Sequence, residues 1–386
     1  MNNFSYHVPT DIRFGKDQIV CLPEELKKCG HRVLLVYGGG SIKKTGLYDK
    51  VCQLLHEFEI YELPGIEPNP KLKSVRTGAK LCKEHKIDVI LAVGGGSCID
   101  AAKHIACGAY YDGDPWDLML DRSKITSALP IAVVLTICAT GSEMNSGAVI
   151  SNEETNEKLE INSPVLYPTL SICDPTYLYT LPKKQTAAGT VDIMSHVFEQ
   201  YFQPNMEAYV TDCLSEGVLK TCIKYGPIAL EEPDNYEARS NMMWASTIAL
   251  NHLLTVGKGG AWSVHPMEHE LSAFYDITHG VGLAILTPAW MKYVLCDKTV
   301  DRFVLFARNV WGIEAEDAYE AARLGIEKTE EFFKNLGMPQ RLSEVGIGTE
   351  KLQFMAEETV RTSRISSHSY YPLQAEDILK IFESVC

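Results

Sequence analysis

Two stretches of the chain decide its fold, RVLLVYGGGSIKK at residues 32–44 and DVILAVGGGSCIDAAK at residues 88–103. Each begins with an apolar run of strand length, continues into three glycines and a serine, and ends in a segment of helical character. Apolar runs without polar alternation are typical of strands buried on both faces, as in parallel sheets. The repeat, from Gly38 to Gly94, therefore predicts two strand–loop–helix units of one parallel sheet.

The rest of the chain divides into two halves with different periodicity. Further strands are predicted at 58–63, 128–135 and 169–173, and helices between them at 46–58 and 72–85. After about residue 181 apolar residues recur at helical spacing over 184–202, 208–225, 236–254, 316–336 and 374–385. We therefore predict an α/β domain with a mostly parallel, Rossmann-like sheet over residues 1–180. An all-helical domain is predicted over residues 181–386, and the two are expected to pack closely over a shared cleft.

Composition excludes several classes of function. The chain has 386 residues, with 36 Lys and Arg against 50 Asp and Glu and a formal net charge of −14. That balance argues against binding to nucleic acid or to an anionic membrane. No apolar run approaches the roughly 20 residues of a membrane span, and the N-terminus lacks the pattern of a secretory signal. The 12 cysteines are scattered without a C-x-x-C pair, which favours reduced thiols in a cytoplasmic protein.

The glycine loops are suited to phosphate. Glycines let a ligand approach the backbone closely, and the following helix presents free N–H groups to an anion. Neither loop matches G-x-G-x-x-G, because Lys43 and Ile99 stand where the last glycine would be. The alternative is a pair of tight strand–helix turns. A third loop, TICATGSEMN at 136–145, supplies hydroxyls that could bind ribose, phosphate or nicotinamide.

Histidines and one aspartate form a second pattern, in the helical half. Asp192 and His196 are four residues apart, so they share one helix face. His265 and His269 repeat that spacing, and His279 follows. One carboxylate with three imidazoles would bind Fe²⁺ or Zn²⁺ and leave a position open for substrate. The alternative is a set of hydrogen-bonded core histidines, and spacing leaves open which of the last three would bind.

These motifs together resemble the iron-containing (group III, metal-dependent) alcohol dehydrogenases, and among them the branch of NADPH-dependent butanol dehydrogenases and broad aldehyde reductases. The resemblance covers nearly the whole chain. It is carried by YGGGSIKKTG at 37–46, PNP at 68–70, GGGSCIDAAK at 94–103, TICATGSEMN at 136–145, DPTYLYTLP at 174–182, GTVDIMSHVFEQY at 189–201, VHPMEHELSAFYDITHG at 264–280 and LGMPQRLSEVGI at 336–347. It implies the dehydroquinate synthase-like fold, with dinucleotide bound by residues 1–180 and metal and catalysis in residues 181–386.

The resemblance also implies residue roles. The metal ligands would be Asp192, His196, His265 and His279, with His269 as the proton relay. The positions implied to bind the dinucleotide are Gly38, Gly39, Ser41, Asn69, Gly95, Gly96, Ser97, Asp100, Thr136, Thr140, Asn145, Lys158 and Tyr177. Members that use NAD carry an aspartate just after the first strand, whereas this chain has glycines there, followed by Lys43 and Lys44. The coenzyme is therefore expected to be NADP(H), unless the two lysines only form a solvated helix face.

The resemblance implies an enzyme that interconverts small, butanol-like primary alcohols and aldehydes, in which the metal polarises the substrate oxygen. Aromatic residues near the histidines, Trp262, Phe274, Tyr275 and Trp290, are candidates for an apolar pocket, and core packing is the expected role for at least half of them. Such a pocket favours a small alkyl substrate over the polyol of a glycerol-type dehydrogenase, which is the alternative on this scaffold. A dehydroquinate-synthase-like lyase is a further enzymatic alternative on the same scaffold. An alternative that is not an enzyme is a nucleotide- or metal-sensing binding protein without turnover. A homodimer is expected.

Overall fold

The computed structural model describes residues 1–204 and 206–386. The chain forms two compact units. The α/β unit contains residues 7–181 and 233–251, and the helical unit contains residues 1–6, 182–232 and 252–386. The units differ from the division at residues 180 and 181 in two segments, because residues 1–6 join the helical unit and residues 233–251 join the α/β unit. Helical periodicity reveals an apolar face, but it does not reveal which unit that face packs against.

Eight strands lie in the α/β unit. They are β1 (Asp11–Phe14), β2 (Arg32–Tyr37), β3 (Glu59–Leu63), β4 (Val89–Gly94), β5 (Ile131–Leu135), β6 (Gly147–Asn152), β7 (Glu157–Asn162) and β8 (Leu170–Cys173). Six of them form a parallel sheet in the order β1-β8-β5-β4-β2-β3, and β6 and β7 form a separate antiparallel pair. The predicted strands at 32–37, 58–63, 88–93, 128–135 and 169–173 correspond to β2, β3, β4, β5 and β8. β1 and the β6–β7 pair were not predicted.

The four inner strands of the sheet, β2, β4, β5 and β8, are buried on both faces, as the apolar runs predict. Val33, Leu35 and Tyr37 of β2 contribute to a core that continues on β4, β5 and β8. The intervening Leu34 and Val36 are equally buried, and because successive side chains of a strand point to opposite faces, both faces are covered. The helices of this unit are α1 (Leu22–Lys27), α2 (Ser41–Lys44), α3 (Leu47–Leu54), α4 (Leu72–His85), α5 (Gly96–Gly108), α6 (Asp117–Leu120) and α9 (Tyr236–Ala249).

The second unit is helical, so the predicted fold class is confirmed. Its helices are α7 (Lys183–Tyr201), α8 (Tyr209–Glu231), α10 (Val264–Tyr275), α11 (His279–Val294), α12 (Val300–Trp311), α13 (Ala318–Asn335), α14 (Leu352–Thr362) and α15 (Ala375–Glu383). Helix α7 packs against α8 and α11, and α10 packs against α11 and α14. Among the described residues of both units, every helix is too short or too polar to cross a bilayer.

Candidate functional site

The glycine loops follow two neighbouring strands of the sheet. β2 is followed in the chain by β3 on one side of it, whereas β4, β5 and β8 lie on its other side. The strand order therefore reverses between β2 and β4, and open α/β sheets bind ligands at the carboxyl ends of the strands at such a point. Residues 38–41 follow β2 and residues 95–97 follow β4, so both loops lie at this edge.

The loop after β4 is packed by the protein itself. A Cβ atom at Gly95 would lie 2.9 Å from Cβ of Ile137, and one at Gly96 would lie 2.5 Å from the side chain of Thr140. These two glycines are therefore required by the close approach of the loop that follows β5. Helix α5 begins at Gly96 and has 13 residues, so its amino end directs a positive dipole toward this edge.

Several of the predicted dinucleotide residues are already engaged by protein groups. Asp100 accepts hydrogen bonds from Ser142 Oγ at 2.6 Å and from the backbone N–H of Val149 at 3.0 Å. Asn145 accepts hydrogen bonds from Lys103 Nζ at 2.9 Å and from the Gly147 N–H at 3.0 Å. These contacts fasten the loop after β5 and strand β6 to helix α5.

The remaining predicted dinucleotide residues also belong to the α/β unit. Lys158 of β7 donates to Asn69 Oδ1 at 3.0 Å, and both side chains are buried. The Thr136 N–H donates to the Gly94 carbonyl at 2.9 Å, and Thr140 Oγ1 accepts from the Ser142 N–H at 3.2 Å. Tyr177, just after β8, packs against the core of the sheet, and burial raises the pKa of its hydroxyl. Gly38, Gly39, Ser41 and Ser97 are partly or fully exposed.

A carboxylate that the sequence analysis did not consider lies close to Lys43. Glu62 of β3 accepts hydrogen bonds from Tyr37 at 2.5 Å and from Tyr48 at 2.7 Å. Lys43 Nζ is 3.9 Å from Glu62 Oε2 and lies over both tyrosine rings, 4.3 Å from the ring centre of Tyr48. The Lys43 side chain therefore interacts with these groups and is not simply a solvated cation, although half of it is exposed.

The predicted metal residues lie in the helical unit, on three helices. Asp192 and His196 are on the inner turns of α7, where every residue from Thr186 to Tyr201 is buried. His265 and His269 are on the first two turns of α10, and α11 begins at His279. A sharp reversal with Asp276 in the left-handed conformation (φ 50°) separates α10 from α11. That reversal brings His279 back toward the two histidines of the preceding helix.

Three imidazoles converge on one carboxylate oxygen. Asp192 Oδ1 is 3.5 Å from His196 Nδ1, 3.9 Å from His265 Nε2 and 3.7 Å from His279 Nε2. Donor atoms of Asp192, His265 and His279 all lie within 4.8 Å of one another. His196 lies beside this triplet, and its ring stacks on that of His265 with centroids 4.7 Å apart.

The fourth histidine of the predicted pattern lies further out. The His269 ring centre is 5.8 Å from that of His279, and its ring nitrogen can form a second, overlapping triplet with Glu268 and His279. Of the four predicted aromatic neighbours, Trp262 makes edge contacts to the rings of His265 at 4.8 Å and His196 at 6.0 Å. Trp290 instead belongs to a core cluster with Phe202.

The electrostatics of this cluster favour a positive charge. Burial alone would raise the pKa of Asp192, but the adjacent imidazoles of His196, His265 and His279 hold it well below its usual range. Burial alone would lower the pKa of His265, but the carboxylates of Asp192 and Glu199 raise it to about 9. The carboxylate therefore stays ionised, and the group of nitrogens around it is suited to bind either protons or a cation.

Two family models match most of the chain. Residues 9–175 match the family described as iron-containing alcohol dehydrogenase, and residues 186–386 match the C-terminal domain of the same family. The chain belongs to the iron-containing alcohol dehydrogenase family. It is therefore an oxidoreductase of the alcohol dehydrogenase type.

Relatives within this family are similar over most or all of their length. The chain is 56% identical over 386 residues to NADH-dependent butanol dehydrogenase A of Clostridium acetobutylicum, with 99% of each chain covered. It is 43% identical over 350 residues to the NADPH-dependent aldehyde reductase YqhD of Escherichia coli, with 90% of each chain covered. The crystal structure of NADH-dependent butanol dehydrogenase A from Thermotoga maritima superposes with a TM-score of 0.96 at 43% identity, covering 100% of this chain and 99% of that one.

An iron-containing alcohol dehydrogenase needs a place for a divalent ion, and the histidine cluster fits one. Asp192 Oδ1 and His265 Nε2 are buried, and no described residue forms a hydrogen bond with either atom. Such atoms are costly to bury unless something binds them. A carboxylate oxygen and imidazole nitrogens directed at one point are ligands that Fe²⁺ and Zn²⁺ both accept.

Sequence reasoning missed two further acidic residues at this site, Glu199 and Glu268. Glu199 of α7 contacts the beginning of α10 and the His265 ring, and Glu268 of α10 contacts the His279 ring. A signal for Glu199 was present, because it is three residues after His196 and seven after Asp192 and so lies on the same helix face. Glu268 lies within HPMEHE, where a glutamate on a helix is ordinarily read as solvated.

Proposed function

We propose that this chain is an NADP(H)-dependent alcohol dehydrogenase or aldehyde reductase that interconverts small primary alcohols, similar to butanol, and their aldehydes. The observation that carries the proposal is the convergence of three imidazoles on Asp192 Oδ1 in the helical unit. In this proposal residues 1–180 bind the dinucleotide, and residues 181–386 hold the metal and the catalytic residues.

Asp192, His196, His265 and His279 would hold the ion. An Fe²⁺ or Zn²⁺ bound there supplies a Lewis acid for the oxygen that gains charge during hydride transfer. Asp192 contributes the only negative charge among the four ligands, so the bound ion would keep a net positive charge. The ligands also fix the position of the substrate oxygen relative to the helical unit.

His269 is the proposed proton relay. It is next to His279, at 5.8 Å between ring centres, but it is outside the group of atoms around Asp192. A histidine at such a position can take the alcohol proton, directly or through a water, and pass it to solvent.

The proposed dinucleotide site combines the loops after β2, β4 and β5 with the amino end of α5. Its residues are Gly38, Gly39, Ser41, Asn69, Gly95, Gly96, Ser97, Asp100, Thr136, Thr140, Asn145, Lys158 and Tyr177. The glycines at residues 38–40 support NADP(H), because no carboxylate in that loop would repel a 2′-phosphate. A 2′-phosphate would share Lys43 with Glu62, which is 3.9 Å from it. The names of the relatives include both NADH-dependent and NADPH-dependent enzymes, and the assay below compares the two coenzymes.

An alkyl substrate is supported over a polyol by Trp262. Its ring lies against His196 and His265, where it would form an apolar wall next to the substrate oxygen. We further propose a cytoplasmic homodimer. The cytoplasm is supported by the twelve cysteines, which all lie among the described residues and are free thiols. The dimer is supported by an exposed apolar strip at the beginning of α8, formed by Tyr209, Val210 and Leu214, which suits a subunit interface.

The experiment is an assay of the purified protein with butyraldehyde, crossing NADH or NADPH with Fe²⁺, Zn²⁺ or a chelator. The proposal expects metal-dependent turnover that is faster with NADPH. Elemental analysis of two variants then tests the ligand set: His265→Ala should lose the metal, and His269→Ala should retain it while turning over more slowly. Equal metal loss in both variants would refute the assigned roles, and full activity after complete metal removal would refute the metal site.

A further inference from the structure

Glu199 joins two helices of the histidine cluster through one buried carboxylate. Its Oε1 accepts hydrogen bonds from the backbone N–H groups of Val264 at 2.7 Å and His265 at 2.9 Å, and its Oε2 accepts from the N–H of Ser263 at 2.8 Å. These N–H groups lie at the beginning of α10, where a helix has no partners of its own for them. Glu199, which is on α7, therefore caps α10 and fixes where that helix begins relative to Asp192.

The same carboxylate also contacts the ring of a proposed ligand. His265 Nδ1 is 3.3 Å from Glu199 Oε1, while His265 Nε2, on the other side of the ring, faces Asp192. An acceptor at Nδ1 stabilises the tautomer with its proton there, which leaves the lone pair on Nε2. Glu199 thus determines both the position of the helix and the ring nitrogen that is available to bind an ion.

Glu268 repeats this arrangement on the next histidine. Its side chain is fully buried, Oε2 contacts His279 Nδ1, and Oε1 accepts a hydrogen bond from Ser272 Oγ. His279 Nε2, on the opposite side of that ring, is the atom that faces Asp192 at 3.7 Å. Two imidazoles from two different helices therefore have a carboxylate at Nδ1 and the proposed metal position at Nε2.

We propose that Glu199 and Glu268 are positioning residues for the metal: they orient His265 and His279, hold them in the metal-binding tautomer and raise the affinity of the site for a divalent cation. This inference rests on the proposed metal site and extends it to residues that would not touch the ion. Carboxylates behind ligand histidines increase the basicity of the imidazole, and removing such a partner typically costs about 10- to 100-fold in metal affinity. Both glutamates also add negative charge to a site in which Asp192 is the only anionic ligand.

The test uses Glu199→Gln and Glu268→Gln, with Glu270→Gln as the matched control. Glu270 is a buried glutamate on the same helix, and it accepts a hydrogen bond from Thr362 at 3.2 Å. Affinity for Zn²⁺ is measured by competition with a chromogenic chelator. The visible spectrum of the Co²⁺-loaded proteins is recorded at saturation, because it reports ligand geometry and not stability. Thermal unfolding of the metal-free proteins is measured separately.

We expect Zn²⁺ affinity to fall at least about 10-fold in both Glu199→Gln and Glu268→Gln, with altered Co²⁺ spectra, and to stay at the parental value in Glu270→Gln. If Glu199→Gln fails to fold because α10 loses its cap, Glu268→Gln, which removes no backbone cap, decides the outcome. Parental affinity and spectrum in Glu268→Gln would overturn the inference, as would an equal loss in Glu270→Gln. A parent protein that binds no metal would instead refute the proposed function.

Discussion

Gly280→Ala is a direct test of the proposed metal site, because Gly280 lies where two helices that carry proposed ligands, α7 and α11, touch. It follows His279 on α11, and a Cβ atom added there would lie 2.8 Å from the carbonyl carbon of Ala188, 3.0 Å from its Cα and closer still to its oxygen. Ala188 is on α7, four residues before Asp192 and on the same helix face. All these atoms belong to the backbone, so the new methyl group can be accommodated only if the helices separate.

The size of the effect follows from those contacts. Ordinary contacts begin at 3.4 Å, so the helices must move apart by about 1 Å in a well-packed interior. Overpacking of this kind costs about 1–3 kcal/mol, of which alanine recovers about 1 kcal/mol through its higher helix propensity. Metal–ligand distances tolerate only about 0.2 Å, so moving His279 away from Asp192 should weaken Zn²⁺ binding at least about 10-fold, or ~1.4 kcal/mol.

The assay measures Zn²⁺ affinity by chelator competition and the thermal unfolding of the metal-free protein. Gly217→Ala is the control, because Gly217 is an exposed glycine within α8 and a Cβ there would have no neighbour within 4 Å. The control should be stabilised by about 0.5–1 kcal/mol and bind metal normally. Parental Zn²⁺ affinity in Gly280→Ala would show that the contact between α7 and α11 does not position the ligands, and the reasoning would fail.

Three further substitutions test other parts of the molecule. Asp192→Asn removes the negative charge of a proposed metal ligand, so aldehyde reduction should be largely lost and partly restored by excess Fe²⁺ or Zn²⁺, while fluorescence titration should give near-parental NADPH binding. Gly39→Asp adds a carboxylate at a position where a Cβ has no neighbour within 4 Å, and it should raise KM for NADPH relative to NADH several-fold; similar parental kcat/KM for both coenzymes would contradict the argument. The bonds from Arg32 hold the pKa of Asp88 at about 2, below its ordinary 3.8, so Asp88 stabilises the fold above pH 4 and loses that effect as pH falls toward 2. Asp88→Asn should therefore cost about 1 kcal/mol after solvent screening in urea unfolding at pH 7, and only a small part of that near pH 2, where the Asp88 carboxylate is about half protonated.

The inner strands of the sheet could be predicted because their burial is evident from their apolar sequences. The runs at 32–37 and 88–93 are apolar throughout, and only a strand covered on both faces requires that. β1 was not predicted from DIRF, because its alternation of polar and apolar residues extends over only four positions. The burial of this edge strand, which pairs only with β8, does not follow that alternation. The β6–β7 pair likewise mixes buried and exposed positions. Helix α9 was found, but its place in the α/β unit depends on contacts such as Thr247 to Glu143 at 2.6 Å, and periodicity does not contain that information.

Coenzyme preference depends in the same way on a residue that lies far along the chain. The loop after β2 contains glycines and no carboxylate. Glu62 reaches Lys43 from the neighbouring strand β3, and two tyrosines hold it there. A charge close in space can lie far along the chain, because parallel strands are joined through helices. A 2′-phosphate would therefore have to compete with an acidic partner of Lys43 that the local motif does not contain.

The histidine cluster contains some residues that can be identified from their spacing in the sequence and others that cannot. Asp192 and His196 share one helix face, so an interval of four residues was enough to place them together. Glu199 and Glu268 carry charges that sequence reasoning assigns to solvent, yet both are buried because backbone N–H groups or an imidazole from another segment satisfy them. Whether a glutamate is solvated or buried is thus decided by its partner on a second helix. Proposed ligands that share a helix can be found from a motif, whereas the carboxylates proposed to orient His265 and His279 become recognisable only when α7, α10 and α11 are brought together.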